Sequence, residues 1–131
     1  MIVGLGLDLV DLDRFAAVVD RHGDAFVRRI CRAGEAREGS GSAYTTHLAG
    51  LFAAKEAAMK ALGTGWTAGV GFRQIEIVRD ASGAPALRLH DQADQRARTL
   101  GVDRFHLSIT HDGASAAAVV ILEGNLDRAR D

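Results

Sequence analysis

Three charged side chains interrupt an otherwise apolar helix pattern at residues 51–65, LFAAKEAAMKALGTG: Lys55, Glu56 and Lys60. At about 100° per residue, Leu48, Leu51, Phe52, Met59 and Leu62 share one stripe. Lys55 falls near the middle of that stripe, Glu56 at its edge, and Lys60 one turn after Glu56. The plain alternative is that Lys55 snorkels and Glu56 pairs with Lys60, but an i,i+4 pair contributes only about 0.2–0.5 kcal/mol. That is a weak reason to put charge on an apolar side. A buried acid needs a partner, and a metal ion, or a polyanion held by lysines, would supply one.

Asp8 poses the same problem in IVGLGLDLV (2–10). Val3, Leu5, Leu7 and Leu9 alternate with Gly4, Gly6 and Asp8, so one strand face is aliphatic and the other carries two glycines and an acid. Glycine in a strand marks close approach of a backbone or ligand. Asp8 and Glu56 from two elements would suit Mg²⁺, which takes one or two carboxylates and leaves the rest to water and phosphate oxygens. The lysines argue for phosphate. Gly63 and Gly65 in the GTG that follows offer unshielded backbone N–H groups, although glycine is also the default helix terminator.

LSITHDG (107–113) ends a strand at His111, where functional residues gather. Ser108 with His111 invites a hydrolase reading, but no nucleophile-elbow pattern surrounds the serine. His22, His47, His90 and His106 lack metal-ligand spacing, and a single cysteine, Cys31, argues against zinc.

The elements that position these residues follow from periodicity and punctuation. The strand at 2–10 leads into a helix near 13–22, capped by Asp11 or Asp13 and ended by Gly23. A short helical piece carries Phe26, Val27 and Ile30 inward. Residues 38–45, EGSGSAYT, read as a flexible loop, and the main helix runs from Ala43–Thr46 to Leu62. Strands at 72–80 and 86–90 form a hairpin around Ser82-Gly83. A polar helix covers 91–101, and RFHLSIT and ASAAAVVILE form two last strands joined by HDG. Short connections favour antiparallel pairing, hence an α+β fold with a mostly antiparallel sheet of about five strands against a long helix.

The chain of 131 residues is most economically one domain, residues 1–131, with a tail after about 124. Its net charge of −1 gives no sign of nucleic acid or an anionic membrane as partner. The apolar N-terminus is broken by Asp8 and preceded by no basic segment, unlike a signal peptide, and no apolar run approaches the about 20 residues of a membrane span. A cytoplasmic protein is expected, with its lone cysteine reduced.

Four motifs, GLGLDLVDLDRF, LAGLFAAKEAAMKALGTG, FRQIEIVRDASGAPAL and LSITHDGASAAAVVILE, in this order over nearly the whole chain, resemble the holo-acyl-carrier-protein synthases, the small 4′-phosphopantetheinyl transferases. The resemblance implies transfer of the 4′-phosphopantetheine arm of coenzyme A to a serine of apo-acyl carrier protein. The by-product is adenosine 3′,5′-bisphosphate, and the product serves fatty acid, or polyketide, biosynthesis. It implies Mg²⁺ on Asp8 and Glu56, with Lys60 also catalytic. The family's coenzyme-binding positions fall on Phe52, Lys55, Lys60, Gly63, Gly65, Pro85 and His111. It further implies a homotrimer with coenzyme A at subunit interfaces, and a carrier-binding first helix led by Arg14, with Arg21 beside it. The proton acceptor is left open among a metal-bound water, Glu56, Glu35 and Asp112. Two departures stand out: Leu51 replaces the arginine of AGRFAAKEA, and the charged segment before the motif is shortened. These departures are the support for an alternative reading, a coenzyme-A-binding module impaired in catalysis.

Overall fold

The computed structural model describes residues 1–64, 69–125, 127 and 129. Strand β1 (Ile2–Asp11) leads directly into helix α1 (Leu12–Ile30). Asp11 caps this helix, its Oδ2 accepting the Arg14 N–H at 2.9 Å and satisfying one of the orphan donors of the first turn. Gly23 adopts φ 55° and ψ −136° and kinks the helix, so the expected break is present although the helix resumes beyond it. Helix α2 (Gly41–Leu62) starts slightly earlier than its periodicity suggests, because Gly41 and Ser42 join its first turn. It ends at Gly63, whose left-handed φ of 73° lets its N–H turn back to Lys60 O. A second stop comes from Arg96, whose Nε donates to Leu62 O at 3.0 Å.

A 3₁₀ turn (Phe72–Gln74) precedes β2 (Ile75–Arg79) and β3 (Pro85–Leu89), which form an antiparallel hairpin. Asp80 builds its turn by accepting the Ser82 N–H at 2.8 Å, with Gly83 at φ 88°. Helix α3 (Asp91–Thr99) is followed by β4 (Val102–Asp112) and β5 (Ser115–Gly124). The five strands divide into a three-stranded antiparallel sheet of order β1-β5-β4 and the separate β2-β3 hairpin, which lies beside β4.

Helix α2 packs across β1 and β5 and forms the centre of the core. The sequence pattern predicts an amphipathic helix with one apolar stripe. Instead, nearly every side is covered: Leu48, Ala53, Ala54, Ala57 and Met59 are all inaccessible or nearly so. The glycine face of β1 meets a backbone, one of the two close neighbours its pattern announces. A Cβ on Gly6 would lie 1.8 Å from Ala57 O, and one on Gly4 2.3 Å from Ala61 O. What comes close to these glycines is the backbone of α2 rather than a ligand. The aliphatic face points outward, with Leu5, Leu7 and Leu9 exposed by 63%, 63% and 70%.

Candidate active site

Between Leu48 and Leu62, only Phe52, Glu56 and Lys60 escape full burial. Their spacing of four places them along one line of α2, a seam left open where every other side is packed. Asp8 faces this seam from β1, because it shares the inner sheet face with Gly4 and Gly6. The glycines determine the distance: with no side chains between strand and helix, the Asp8 carboxylate reaches residues one turn away on α2.

Lys60 closes the contact. Its Nζ donates to Asp8 Oδ1 at 3.1 Å and to Leu7 O at 2.9 Å, while about half of the side chain stays open to solvent. The simple Glu56–Lys60 pair is therefore replaced by a bond from helix to strand. Glu56 carries a raised pKa, caused first by burial and then by the neighbouring Asp8 charge, with Lys60 acting in the opposite sense. Two carboxylates whose charges oppose each other form a donor set that a hard divalent cation would stabilise. Asp8 and Glu56 thus fit Mg²⁺. Among the described residues no cluster of three or more His, Cys, Asp or Glu is arranged to hold a metal, so the pair is the candidate and the remaining ligands would come from phosphate and water.

Lys55 corrects the sequence reading. It is fully inaccessible, and its Nζ lies 2.9 Å from both carboxylate oxygens of Glu35, 3.0 Å from Phe72 O and 2.6 Å from Ile75 O. Burial pulls its pKa down while Glu35 pulls it up. Glu35 also accepts the Arg32 and Ile77 N–H groups. Every donor of this ammonium is engaged inside the chain, so Lys55 neither snorkels nor reaches toward phosphate. Glu35 is equally removed from the proton acceptors, leaving Glu56 and Asp112 among the side chains considered. Cys31, beside this pair, has its thiol pushed up to about 11, first by burial and then by Glu35.

Phe52 lies in an aromatic cluster, with ring centroids 5.4 Å from Phe15, 6.2 Å from Phe26 and 5.3 Å from Phe72. Gly63 is exposed at the end of α2, and Gly65 lies outside the described residues. Arg14 and Arg21 are both exposed on α1 and form no ion pair with a described residue. Ser108 and His111 sit on opposite faces of β4, which leaves no triad geometry.

Pro85 and His111 come together elsewhere. They line a cavity of about 530 Å³ between the first half of α2, the β2-β3 hairpin and the end of β4. Leu51 forms part of its wall, as do Arg37, His47 and Arg79, none of which the sequence motifs single out. His47 is held below the ordinary histidine pKa by burial first and by Arg37 and Arg79 next, with Glu35 opposing. In one chain the two groups belong to opposite edges of the sheet. Asp8 is on β1 and His111 on β4, with β5 between them, a spread of about 10 Å across the strands.

Residues 4–120 match the 4′-phosphopantetheinyl transferase superfamily. Similar proteins include the holo-[acyl-carrier-protein] synthase of Solidesulfovibrio magneticus, 53% identical over 95% of this chain and 100% of that protein. The synthase of the same name from Nitratidesulfovibrio vulgaris strain Hildenborough is 49% identical over 94% and 99%. Among solved structures, the Bacillus anthracis synthase in complex with CoA (3′,5′-ADP) superposes with a TM-score of 0.78 at 38% identity, covering 95% of this chain and 99% of that one. The Neisseria meningitidis synthase gives a TM-score of 0.81 at 35% identity, covering 94% and 99%.

Proposed function

The chain belongs to the 4′-phosphopantetheinyl transferase superfamily, and we propose that it acts there as a holo-acyl-carrier-protein synthase. It moves the 4′-phosphopantetheine arm of coenzyme A to a serine of apo-acyl carrier protein and releases adenosine 3′,5′-bisphosphate. The observation that carries this reading is the open seam of α2: Phe52, Glu56 and Lys60 remain accessible on an otherwise buried helix, and Lys60 is joined to Asp8.

In this reaction the serine hydroxyl attacks the β-phosphorus of the diphosphate, the P–O bond to the leaving nucleotide breaks, and the hydroxyl proton passes to an acceptor. Such transfers depend on positioning and on neutralising charge. Asp8 and Glu56 would hold Mg²⁺, which when bound acts as a Lewis acid on the diphosphate oxygens. Lys60, anchored by Asp8 and the Leu7 carbonyl, presents a cation to the phosphates. The cavity at Pro85 and His111 takes the nucleotide end of the coenzyme. Arg14 and Arg21 on α1 offer exposed positive charge to an acidic carrier protein.

The chain acts as one domain and assembles as a homotrimer in the cytoplasm, with sites between copies. Two features support the assembly. The outer sheet face presents Leu5, Leu7 and Leu9 to solvent, an apolar strip of the kind that marks protein contacts. The metal-side residues and the cavity also lie at opposite sheet edges, where the edge of one copy can meet the other edge of its neighbour. No helix among the described residues is long and apolar enough to cross a membrane.

The test is mass spectrometry of apo-acyl carrier protein incubated with coenzyme A and Mg²⁺. A phosphopantetheine adduct on the carrier serine is expected. No adduct on any acyl carrier protein tried, with the protein folded and coenzyme bound, would reject the transferase reading.

A further inference from the structure

A second hollow, of about 300 Å³, lies where the end of α1, the connection that follows it and the 3₁₀ turn before β2 meet. Its lining includes Arg28, Arg32, Arg73 and Cys31 and, among the described residues, no carboxylate. It shares no described residue with the cavity at Pro85 and His111. None of the three arginines forms an ion pair with a described residue.

The three charges reach this wall from different parts of the chain. Arg28 stands in the last turn of α1, where a cation complements the helix dipole. The dipole accounts for Arg28 alone. Arg32 follows the C-cap Cys31, and Arg73 belongs to the 3₁₀ turn. Arg32 Nη1 donates to Arg73 O at 2.8 Å, which joins the two stretches and uses one donor of a fork that has several.

The acids whose charge reaches this region are already matched. Glu35 accepts from Lys55 and from the Arg32 and Ile77 N–H groups. Glu76 lies 2.9 Å from His90 Nε2 and 3.9 Å from Arg88 Nη1. Cys31 adds no negative charge. Burial first and Glu35 next push its thiol up to about 11, against the pull of Lys55 and Arg73, so it is neutral at pH 7. Like charges gathered on one concave wall repel, and an anion between them removes that cost. Guanidinium forks arriving from separate stretches suit a tetrahedral phosphate, whose oxygens spread toward all of them, better than a flat carboxylate.

We propose that Arg28, Arg32 and Arg73 form a binding site for a phosphate dianion, separate from Asp8, Glu56 and Lys60, that clamps the end of α1 to the segment entering β2. Arg73 follows Phe72, whose carbonyl accepts from Lys55 and whose ring centroid lies 5.3 Å from that of Phe52 on the open seam of α2. An occupied site therefore stiffens the wall beside that seam.

Thermal unfolding of the assembled protein, with and without saturating coenzyme A, tests this. Inorganic phosphate, titrated against chloride at constant ionic strength, is expected to raise the midpoint saturably, by roughly 3–8 °C once it exceeds Kd about tenfold. The rise persists when coenzyme A is present. Arg28→Gln with Arg73→Gln, both at exposed positions, weakens phosphate binding at least tenfold. Arg73→Lys, which keeps the charge without the fork, weakens it less. Arg29→Gln removes the same charge from the last turn of α1 outside the lining and leaves binding unchanged. Glycerol 3-phosphate in the same titration separates two sources of the anion. A rise as large as that from inorganic phosphate means that the site takes a phosphate monoester, and a rise from the inorganic ion alone means that it takes the free ion. The proposal is overturned by a wild type without a saturable rise, by a rise that coenzyme A abolishes, by an undiminished rise in the double variant, or by equal weakening in Arg29→Gln.

Discussion

Lys55 Nζ lies 2.9 Å from both carboxylate oxygens of Glu35, and solvent reaches neither side chain. The pair ties three stretches together: the α1–α2 connection through Glu35, helix α2 through Lys55, and the segment entering β2 through the carbonyls of Phe72 and Ile75. Removing one member strands the other as an uncompensated buried charge, which costs about 3–5 kcal/mol. Lys55→Met is therefore expected to lower the unfolding midpoint in denaturant sharply. Lys60→Met, at a half-exposed position, should leave that midpoint nearly unchanged while abolishing most carrier modification. Equal stability loss in both variants, measured by chemical denaturation, would contradict this division of labour.

Glu56 should link stability to pH and to metal. Its pKa is raised, by burial first and by Asp8 second, so the folded chain holds this proton more tightly than the unfolded chain. Stability contributed by the protonated group is then lost as pH rises through the interval between the ordinary and the raised value. A divalent cation on Asp8 and Glu56 removes that repulsion. Mg²⁺ is expected to raise the thermal midpoint of the wild type at neutral pH and to leave Glu56→Gln unmoved. Activity of that variant should fall on the order of a hundredfold, the scale of losing one electrostatic contact to the reacting group. A Mg²⁺-induced shift of the same size in Glu56→Gln, by scanning calorimetry, would remove Glu56 from the ligands.

Gly6→Ala tests the spacing between β1 and α2. A Cβ at Gly6 would stand 1.8 Å from Ala57 O, a backbone atom of a packed helix that cannot rotate away. Strand and helix must separate, at a cost of about 3 kcal/mol by the standard of overpacked cores. The same separation draws Asp8 away from Lys60. The variant is expected to lose both thermal stability and turnover. Retained turnover in the folded fraction would show that the Asp8–Lys60 contact does not depend on this approach.

Leu7→Asp tests the outer face. Leu7 is 63% exposed in the single chain and lies in the aliphatic strip of β1. A charge there should leave the fold of one copy intact, disperse the proposed trimer, and lower activity together with it. Sedimentation analysis is the measurement. A variant that sediments like the wild type would place the contact elsewhere.

The parts of the site that are legible in the sequence are those with local signals. Asp8 interrupts a strand pattern, Glu56 and Lys60 interrupt a helix pattern, and glycines at Gly4 and Gly6 announce a close neighbour. The antiparallel α+β fold follows similarly from short connections and alternation. What the pattern leaves out is the identity of distant partners. Glu35 lies in an irregular connection with no periodicity, and the carbonyls of Phe72 and Ile75 carry no side-chain signature, so nothing local marks Lys55 as already satisfied. A glycine that admits a ligand and one that admits a helix look alike. The division of five strands into a sheet and a hairpin depends on long-range pairing rather than local propensity. Arg37 and Arg79 belong to separate elements and meet only when the hairpin docks beside α2.

The two lysines of α2 point to different fates for chains that descend from this one. Lys55 belongs to the scaffold and Lys60 to the exposed seam, so selection can act on them independently. A descendant that lost Asp8 or Lys60 but kept Glu35, Lys55 and the cavity would still fold. It would still offer the hollow at Pro85 and His111 and carry most of the motif, and on the proposed reading of Asp8 and Lys60 it would transfer nothing. Drift away from catalysis is thus open to this fold without prior collapse, and a relative that retains only the buried half of the motif has inherited architecture rather than activity.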